Sequence, residues 1–190
     1  MSVLDIRLYG DPVLRRKADP IDEFDGDLKE LAEDMVDTMY EADGVGLAAP
    51  QIGLSVRILV ADADHAEDRS TARVFINPEI LEADGTWKME EGCLSIPGIR
   101  ADVVRPERIV VKYLDLDGNE HTEEMHEMWA RVLQHEIDHL DGKLFIDYLS
   151  QIKKTLIKRT LKELEEEARA YLAELEAEED EDGNGAARSS

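Results

Sequence analysis

Hydrophobic positions change their spacing along the chain, and these changes divide it into predicted helices and strands. Residues 1–26 keep no sustained period and are typical of an irregular arm. Between residues 27 and 41 apolar side chains recur at intervals of three and four, which predicts an amphipathic helix. A loop rich in small residues, ADGVGLAAPQIG, follows this helix.

From this loop to about residue 120 the apolar positions fall in short runs bounded by turn residues, which is typical of β-strands. The runs are SVRILVA, ARVFINP, GIRADVV and ERIVVKYLDL. The last run is followed by Asp117 and Gly118 and then by NEHTEEM, a pattern that favours a tight hairpin. Because turns rather than helices separate the strands, we expect antiparallel or mixed sheets.

Two further helices are predicted after the strands. Over residues 123–140 one stripe continues at spacings of three and four, made of Met125, Met128, Val132, His135 and His139. Residues 150–178 form a long third helix, with its cations in the first part and its acids in the rest. The expected fold class is therefore α+β, with mixed or antiparallel sheets around a central helix, an N-terminal helix and a long C-terminal helix.

Acidic residues dominate the charge of the chain: 45 acidic and 22 basic residues give 190 residues a formal net charge of -23. Such a surface repels phosphate backbones, which argues against wrapping of nucleic acid by the whole domain. Such a charge is typical of a protein that works in high salt or of an ordinary acidic cytosolic protein.

No apolar run approaches the roughly 20 residues of a membrane span, and the first residues lack a signal-peptide pattern. We therefore expect a cytoplasmic protein with no membrane partner.

The segment HEIDH, residues 135–139, carries the first candidate chemistry. Histidines four apart on a helix lie about 5 to 6 Å from one another on one face, close enough to bind one ion. Glu136 lies beside the first histidine, where a carboxylate can take a proton from water at the metal. Two buried imidazoles need partners for their ring nitrogens, and a single metal ion can serve both.

A catalytic site of this kind needs a third protein ligand and one open position. In thermolysin-like proteases that ligand is a downstream glutamate, and this chain offers Glu163, Glu165, Glu166 and Glu167. The competing candidate is Cys93, the single cysteine, in the turn-rich stretch EEGCLSIPG. One cysteine excludes an intramolecular disulfide, so its thiol is either buried packing or a functional group.

The stretch GVGLAAPQ, residues 44–51, is a third candidate. Two glycines two positions apart permit close approach of the backbone to a ligand, although the stretch can also be an ordinary connection from helix to strand. It is not a phosphate loop, because it has no lysine and the spacing differs.

Taken together and in this order, GVGLAAPQ, EGCLSIPG and QHEIDHLDG resemble the three signature motifs of peptide deformylases. YGDPVLRRKADPI is similar to the opening segment of that family, and the resemblance covers about residues 3–150. It implies a metal-dependent hydrolase that removes the formyl group from the N-terminal formyl-methionine of newly made proteins and releases formate. It also implies a catalytic domain at 1–150. The apolar spacing predicts the C-terminal helix at 151–178, and the acidic composition of residues 179–190 predicts a disordered tail.

The resemblance implies roles for individual residues. Its metal ligands are Cys93, His135 and His139. Glu136 accepts the proton of the attacking water and passes it to the departing amine. The Gln51 side-chain amide and the Leu94 backbone N–H receive the charge that develops on the formyl oxygen.

Substrate, metal and partner follow from the same resemblance. An extended peptide pairs with backbone beside the site, and the residues implied in binding are Val45, Gly46, Met89, Arg100, Met128 and Val132. For Arg131, the sequence indicates a structural role in a salt bridge at least as readily as a role in substrate binding. The family characteristically uses Fe(II), so we expect Fe(II) in the cell and Zn(II), Ni(II) or Co(II) in purified protein. The cationic start of the third helix, with Lys154, Lys158 and Lys162, is a candidate ribosome-docking stripe.

Two alternatives remain open at this point. A zincin-like endopeptidase requires a glutamate as third ligand and no contribution from Cys93. A non-catalytic metal-binding homologue binds the metal but releases no formate.

Overall fold

The computed structural model describes residues 2–64 and 71–186, and within them the chain forms three α-helices and seven β-strands. The helices are α1 (Gly26–Glu41), α2 (Glu127–Leu140) and α3 (Gln151–Ala186). The strands are β1 (Gly46–Ala48), β2 (Ile58–Ala61), β3 (Arg73–Asp84), β4 (Trp87–Cys93), β5 (Ile96–Arg105), β6 (Arg108–Leu114) and β7 (Glu120–His126). Short 3-10 turns lie at Pro12–Arg15, Ala49–Ile52 and Phe145–Tyr148.

The strands form two antiparallel sheets. Five strands pair in the order β1-β2-β3-β6-β7, and β4 pairs with β5 in a separate two-stranded sheet. The predicted α+β class and the hairpin between β6 and β7 are confirmed. Among the described residues, none of the helices combines the length and apolar character that a bilayer-spanning segment needs.

A helix covers each face of the five-stranded sheet, and the residues of β2 pack against both helices. Leu59 and Ala61 pack in the cluster that includes the inward face of α2, whereas Ile58 and Val60 pack in the cluster that includes α1. Alternate residues of a strand point to opposite faces, so a strand buried on both faces is apolar at every position. The uninterrupted run ILVA therefore reflects a central strand between two helices.

Helix α2 begins later than the sequence pattern predicts. We expected a helix over residues 123–140, but residues 123–126 belong to β7, which pairs with β6 as far as His126. The chain turns from strand to helix at Glu127, whose φ is 47° and whose backbone N–H donates to the Glu107 carbonyl. Met125 is buried from the strand rather than from the helix, so it does not belong to the helical stripe.

Two strands and one helix end also differ from expectation. β1 lies inside the predicted loop, and β4 has the sequence WKMEEGC, whose polar character gives no strand signal. α3 continues to Ala186, past residue 178, where we expected a disordered tail to follow. Its glutamates favour helix and no proline interrupts them, whereas residues 187–190 of the expected tail lie outside the described part of the chain.

The N-terminal arm packs against α3. The Tyr171 hydroxyl donates to the Asp5 carboxylate at 3.0 Å, and the Arg7 guanidinium lies 5.0 Å from the centre of the Tyr171 ring. Gly10 has φ of 111°, and a Cβ there would lie 2.7 Å from the Glu165 Cα. Only glycine fits this contact, since both the backbone angle and the space exclude a side chain.

Candidate metal centre

Strand β4 and helix α2 bring the three candidate ligands together. Cys93 lies at the end of β4, in the turn where it pairs with Ile96 of β5. His135 and His139 are one helical turn apart on α2, with ring centres separated by 5.0 Å. The Cys93 Sγ lies 3.2 Å from the His139 Nε2, and one ligand atom from each of the three residues lies within 4.8 Å of the others.

This donor set fits a divalent transition metal. With bonds of about 2.3 Å to sulfur and 2.0 Å to nitrogen, tetrahedral ligands lie about 3.5 Å from one another. Burial lowers the pKa of His139 well below its usual value, which keeps the imidazole neutral and its lone pair available. Among the residues that the structure describes, this is the one group of three potential ligands found close together.

The glutamates that compete for the third position lie elsewhere. All four are exposed to solvent on α3 and none belongs to the ligand group: Glu163, Glu165, Glu166 and Glu167. Counting glutamates along the sequence left the thermolysin-like arrangement open, and the fold removes it by placing them on the outer surface of α3.

Glu91 orients His135 within the site. Its Oε2 lies 3.0 Å from the His135 Nδ1, which leaves the Nε2 of that ring to face a cation. Burial alone would raise the pKa of Glu91, but hydrogen bonds from His135 and Arg105 hold it well below its usual range. Glu91 is therefore a buried carboxylate anion whose charge is compensated by its neighbours.

Glu136 has the environment of a general base. Its side chain is buried, and its Oε2 has no hydrogen-bond partner. Burial raises the pKa of Glu136 to about 7, near the value at which a carboxyl group both accepts and donates protons at neutral pH. The carboxylate rests against β1, because a Cβ on Gly46 would lie 2.6 Å from the Glu136 Oε1.

The Gln51 amide is held with its N–H group toward the ligands. Its Oε1 accepts a hydrogen bond from the Ala48 backbone N–H at 2.8 Å, which fixes the direction of the amide. Its Nε2 then lies 3.6 Å from the Cys93 Sγ and 3.3 Å from the Ser95 Oγ. The side chain is 1% exposed, so this donor is both directed and shielded from bulk water.

A cavity of about 540 Å³ opens over this site. All six residues predicted to bind substrate line it: Val45, Gly46, Met89, Arg100, Met128 and Val132. Gln51, Cys93, Leu94, His135 and Glu136 also line it.

The two arginines near the site differ in their surroundings. Arg100 is 67% exposed and pairs with Glu90. Arg131 is buried and donates to Glu91 and to the Val103 and Trp87 carbonyls. Arg131 therefore has the structural role that the sequence left open.

A comparison with known proteins identifies this arrangement. A family model described as "Polypeptide deformylase" matches residues 3–155. The chain belongs to this family. A peptide deformylase of Chlorobaculum parvum is 49% identical over 161 residues, which are 84% of this chain and 86% of that protein. A peptide deformylase of Alkalilimnicola ehrlichii is 48% identical over 169 residues, 89% of this chain and 94% of the relative.

Solved deformylase structures agree with the fold. The crystal structure from Thermus thermophilus has a TM-score of 0.81 at 49% identity, covering 87% of this chain and 99% of that one. The structure from Legionella pneumophila has a TM-score of 0.80 at 44% identity, covering 85% and 95%.

The deformylase family settles the reaction. The chain is a metal-dependent hydrolase that removes the N-formyl group from the N-terminal formyl-methionine of nascent proteins and releases formate. The predicted function is confirmed, and the endopeptidase and non-catalytic alternatives are set aside.

Sequence reasoning missed the residues that surround the ligands. They are Glu91, Ser95, Arg105, Asp138 and Tyr148. Glu91 and Ser95 flank Cys93 and Asp138 lies inside HEIDH, so the motifs contained three of them without indicating what they contact. Arg105 and Tyr148 lie in other segments and had no local signal.

We expect Gly46→Ala to lower kcat strongly while the protein keeps its metal. The added methyl group would meet the carboxylate and Cγ of Glu136 at 2.6 to 2.8 Å and push it from its position. Steady-state formate release and metal content measure the two effects. Gly44→Ala is the comparison, because its nearest contact, at 2.9 Å, is the Cδ1 of the flexible Leu94 side chain. Equal kcat for Gly46→Ala and the unmodified chain would contradict the expected displacement.

Proposed function

We propose that Cys93, His135 and His139 hold one divalent cation and that Glu136 moves the protons of the deformylation reaction. The observation that carries this proposal is the convergence of one sulfur and two ring nitrogens beneath a cavity that a buried carboxylate also lines. When bound, the cation supplies a Lewis acid that lowers the pKa of water and polarises the formyl carbonyl.

Glu136 acts first as base and then as acid. It accepts a proton from the water molecule that attacks the formyl carbon, and it delivers that proton to the amine when the carbon–nitrogen bond breaks. Formate and a free N-terminal amine are the products, so every atom of the water is accounted for. The raised pKa of Glu136, caused mainly by burial, suits both transfers at neutral pH.

Gln51 and Leu94 stabilise the oxygen that becomes negative during the attack. The fixed Gln51 amide supplies one N–H donor, and its direction is set before substrate binds by the Ala48 N–H. The second donor is the backbone N–H of Leu94, which follows Cys93 and lines the cavity. Donors that are oriented in advance stabilise the transition state without reorganisation, at about 3 to 4 kcal/mol each.

The cavity recognises formyl-methionine by shape and by backbone pairing. Val45, Met89, Met128 and Val132 give it an apolar wall for the methionine side chain. The peptide chain lies extended beside Gly46 as an added strand, and Arg100 at the exposed rim contacts its backbone.

The native metal is Fe(II) in this proposal, with Zn(II), Ni(II) or Co(II) in purified protein. A thiolate and two imidazoles bind each of these ions, so ligand type alone does not select among them. The half-buried sulfur and the open cavity above it make an iron site accessible to oxygen, which favours its replacement during aerobic purification.

The proposed organisation is a cytoplasmic catalytic domain at residues 1–150 that carries α3 as a docking element for the ribosome. The first turns of α3 present Lys158 and Lys162 to solvent, beside Ile152 and Leu156, which are 76% and 78% exposed. On a chain of net charge -23, this cationic and apolar face is the part that suits an anionic ribosomal surface.

Glu136→Gln should lower the rate of formate release from formyl-Met-Ala-Ser by about 10² to 10⁴, because it removes a general acid–base while keeping the side-chain shape. Glu163→Gln, the same change at an exposed glutamate of α3, should leave the rate unchanged. A loss of activity in the Glu163 variant with retention in the Glu136 variant would refute the assignment.

Metal analysis on anaerobically purified protein should give about one equivalent of transition metal. Cys93→Ala should fall well below that value, because it removes one of three ligands, and its activity should fall with it. Glu165→Ala should bind metal like the unmodified chain. Undiminished metal in the Cys93 variant would exclude the thiolate as a ligand.

Ribosome binding should weaken when Lys154, Lys158 and Lys162 are all changed to Glu. Co-sedimentation with purified ribosomes at two salt concentrations measures this, since an electrostatic contact weakens as salt rises. The matched control reverses three lysines elsewhere on the surface, Lys29, Lys88 and Lys112. Equal binding by both triple variants would show that the start of α3 is not the docking site.

A further inference from the structure

We propose that Arg105, Asp138 and Tyr148 are positioning residues for the metal ligand His135, and that they act through Glu91. This inference rests on the proposed function, because it takes His135 as a ligand. None of the three lines the cavity, so they influence the site only through the residues they contact.

Arg105 of β5 holds the Glu91 carboxylate in place by hydrogen bonds to both of its oxygens. Its Nε donates to the Glu91 Oε1 at 2.6 Å and its Nη2 to the Oε2 at 3.0 Å, which is a two-point contact. The same Oε2 lies 3.0 Å from the His135 Nδ1. A carboxylate held at two points cannot rotate, so it holds the imidazole in one orientation.

The remaining Arg105 nitrogen reaches the helix that carries the ligands. Nη1 donates to the Asp138 Oδ2 at 2.7 Å, so one guanidinium ties β4 to α2. Asp138 lies between the two histidines in HEIDH and is itself no ligand. All three nitrogens of Arg105 are thereby used, which a lysine with its single nitrogen cannot reproduce.

Tyr148 is the outer end of this chain of contacts. Its hydroxyl donates to the Asp138 Oδ2 at 2.8 Å, and its ring lies 4.9 Å from the Arg105 guanidinium carbon. Phe145, from the same 3-10 turn, stacks on the His135 ring with centres 6.1 Å apart and an interplanar angle of 26°. The turn that precedes α3 therefore supports His135 by one direct contact and one relayed contact.

Charge balance explains why these groups occur together. Arg105 is 4% exposed, Glu91 6% and Arg131 3%, and Asp138 is 9% exposed. Two guanidinium groups thus face two carboxylates in a region with little water. Any arrangement that separates one partner would leave an uncompensated buried charge. The fully paired arrangement of these side chains is therefore favoured over the others.

The test is the rate at which Zn(II)-loaded protein releases its metal to an excess of a chromophoric chelator. Arg105→Lys keeps the charge but loses the three-point contact, and it should release zinc about 10 to 100 times faster. Tyr148→Phe keeps the ring and loses one hydrogen bond, so release should be faster by a smaller factor. In both variants kcat should fall while KM stays unchanged, because neither residue lines the cavity.

Arg108→Lys is the matched control. Arg108 also pairs with two carboxylates, Glu82 and Glu124, but lies at the surface of β6, and its variant should release zinc like the unmodified chain. Release from Arg105→Lys at the rate of Arg108→Lys would overturn the proposal. If Arg105→Lys does not fold, Tyr148→Phe decides, and an unchanged release rate there rejects it. An unmodified chain that binds no zinc would instead refute the proposed ligand set.

Discussion

One buried carboxylate holds the catalytic architecture together. Glu91 receives hydrogen bonds from Arg105 of β5 and Arg131 of α2, and it orients His135 of α2. The two-stranded sheet and the central helix are therefore joined at the point where Cys93 and the histidines must meet. When the ligands of a metal come from two elements, the relative position of those elements must be fixed more tightly than apolar packing alone can fix it. Ionic hydrogen bonds have a defined direction and provide this additional constraint.

Much of the fold follows from local pattern, and the differences have physical causes. Helix α1 was predicted within one residue, since its apolar spacing begins after Asp25, which accepts a hydrogen bond from the Leu28 N–H. The start of α2 was wrong because Met125 satisfies the helical spacing and the strand alternation equally. β4 was missed because its sequence is largely polar and its pairing with β5 is set by the fold rather than by burial of an apolar face.

The candidate ligands were predictable from the sequence, and the residues that support them were not. The three motifs carry the candidate ligands and the residues assigned to the reaction, because that chemistry demands particular residue types at fixed spacings. Glu91 lies at the start of one of these motifs, but its partners Arg105 and Arg131 are 14 and 40 positions away. Such contacts depend on how the two-stranded sheet packs against α2, which no short window of sequence contains.

The packing of the arm on α3 has a consequence for how the polypeptide acquires its structure. The contact between Asp5 and Tyr171 joins positions 166 apart, and Gly10 meets Glu165 in the same region. Polypeptides are synthesised in the direction from N- to C-terminus, so the segment around Asp5 must wait until the segment around Tyr171 has been made before its packing is complete. Loop closure of this length is slow relative to the formation of local contacts, which makes the packing of the arm on α3 a late event in folding.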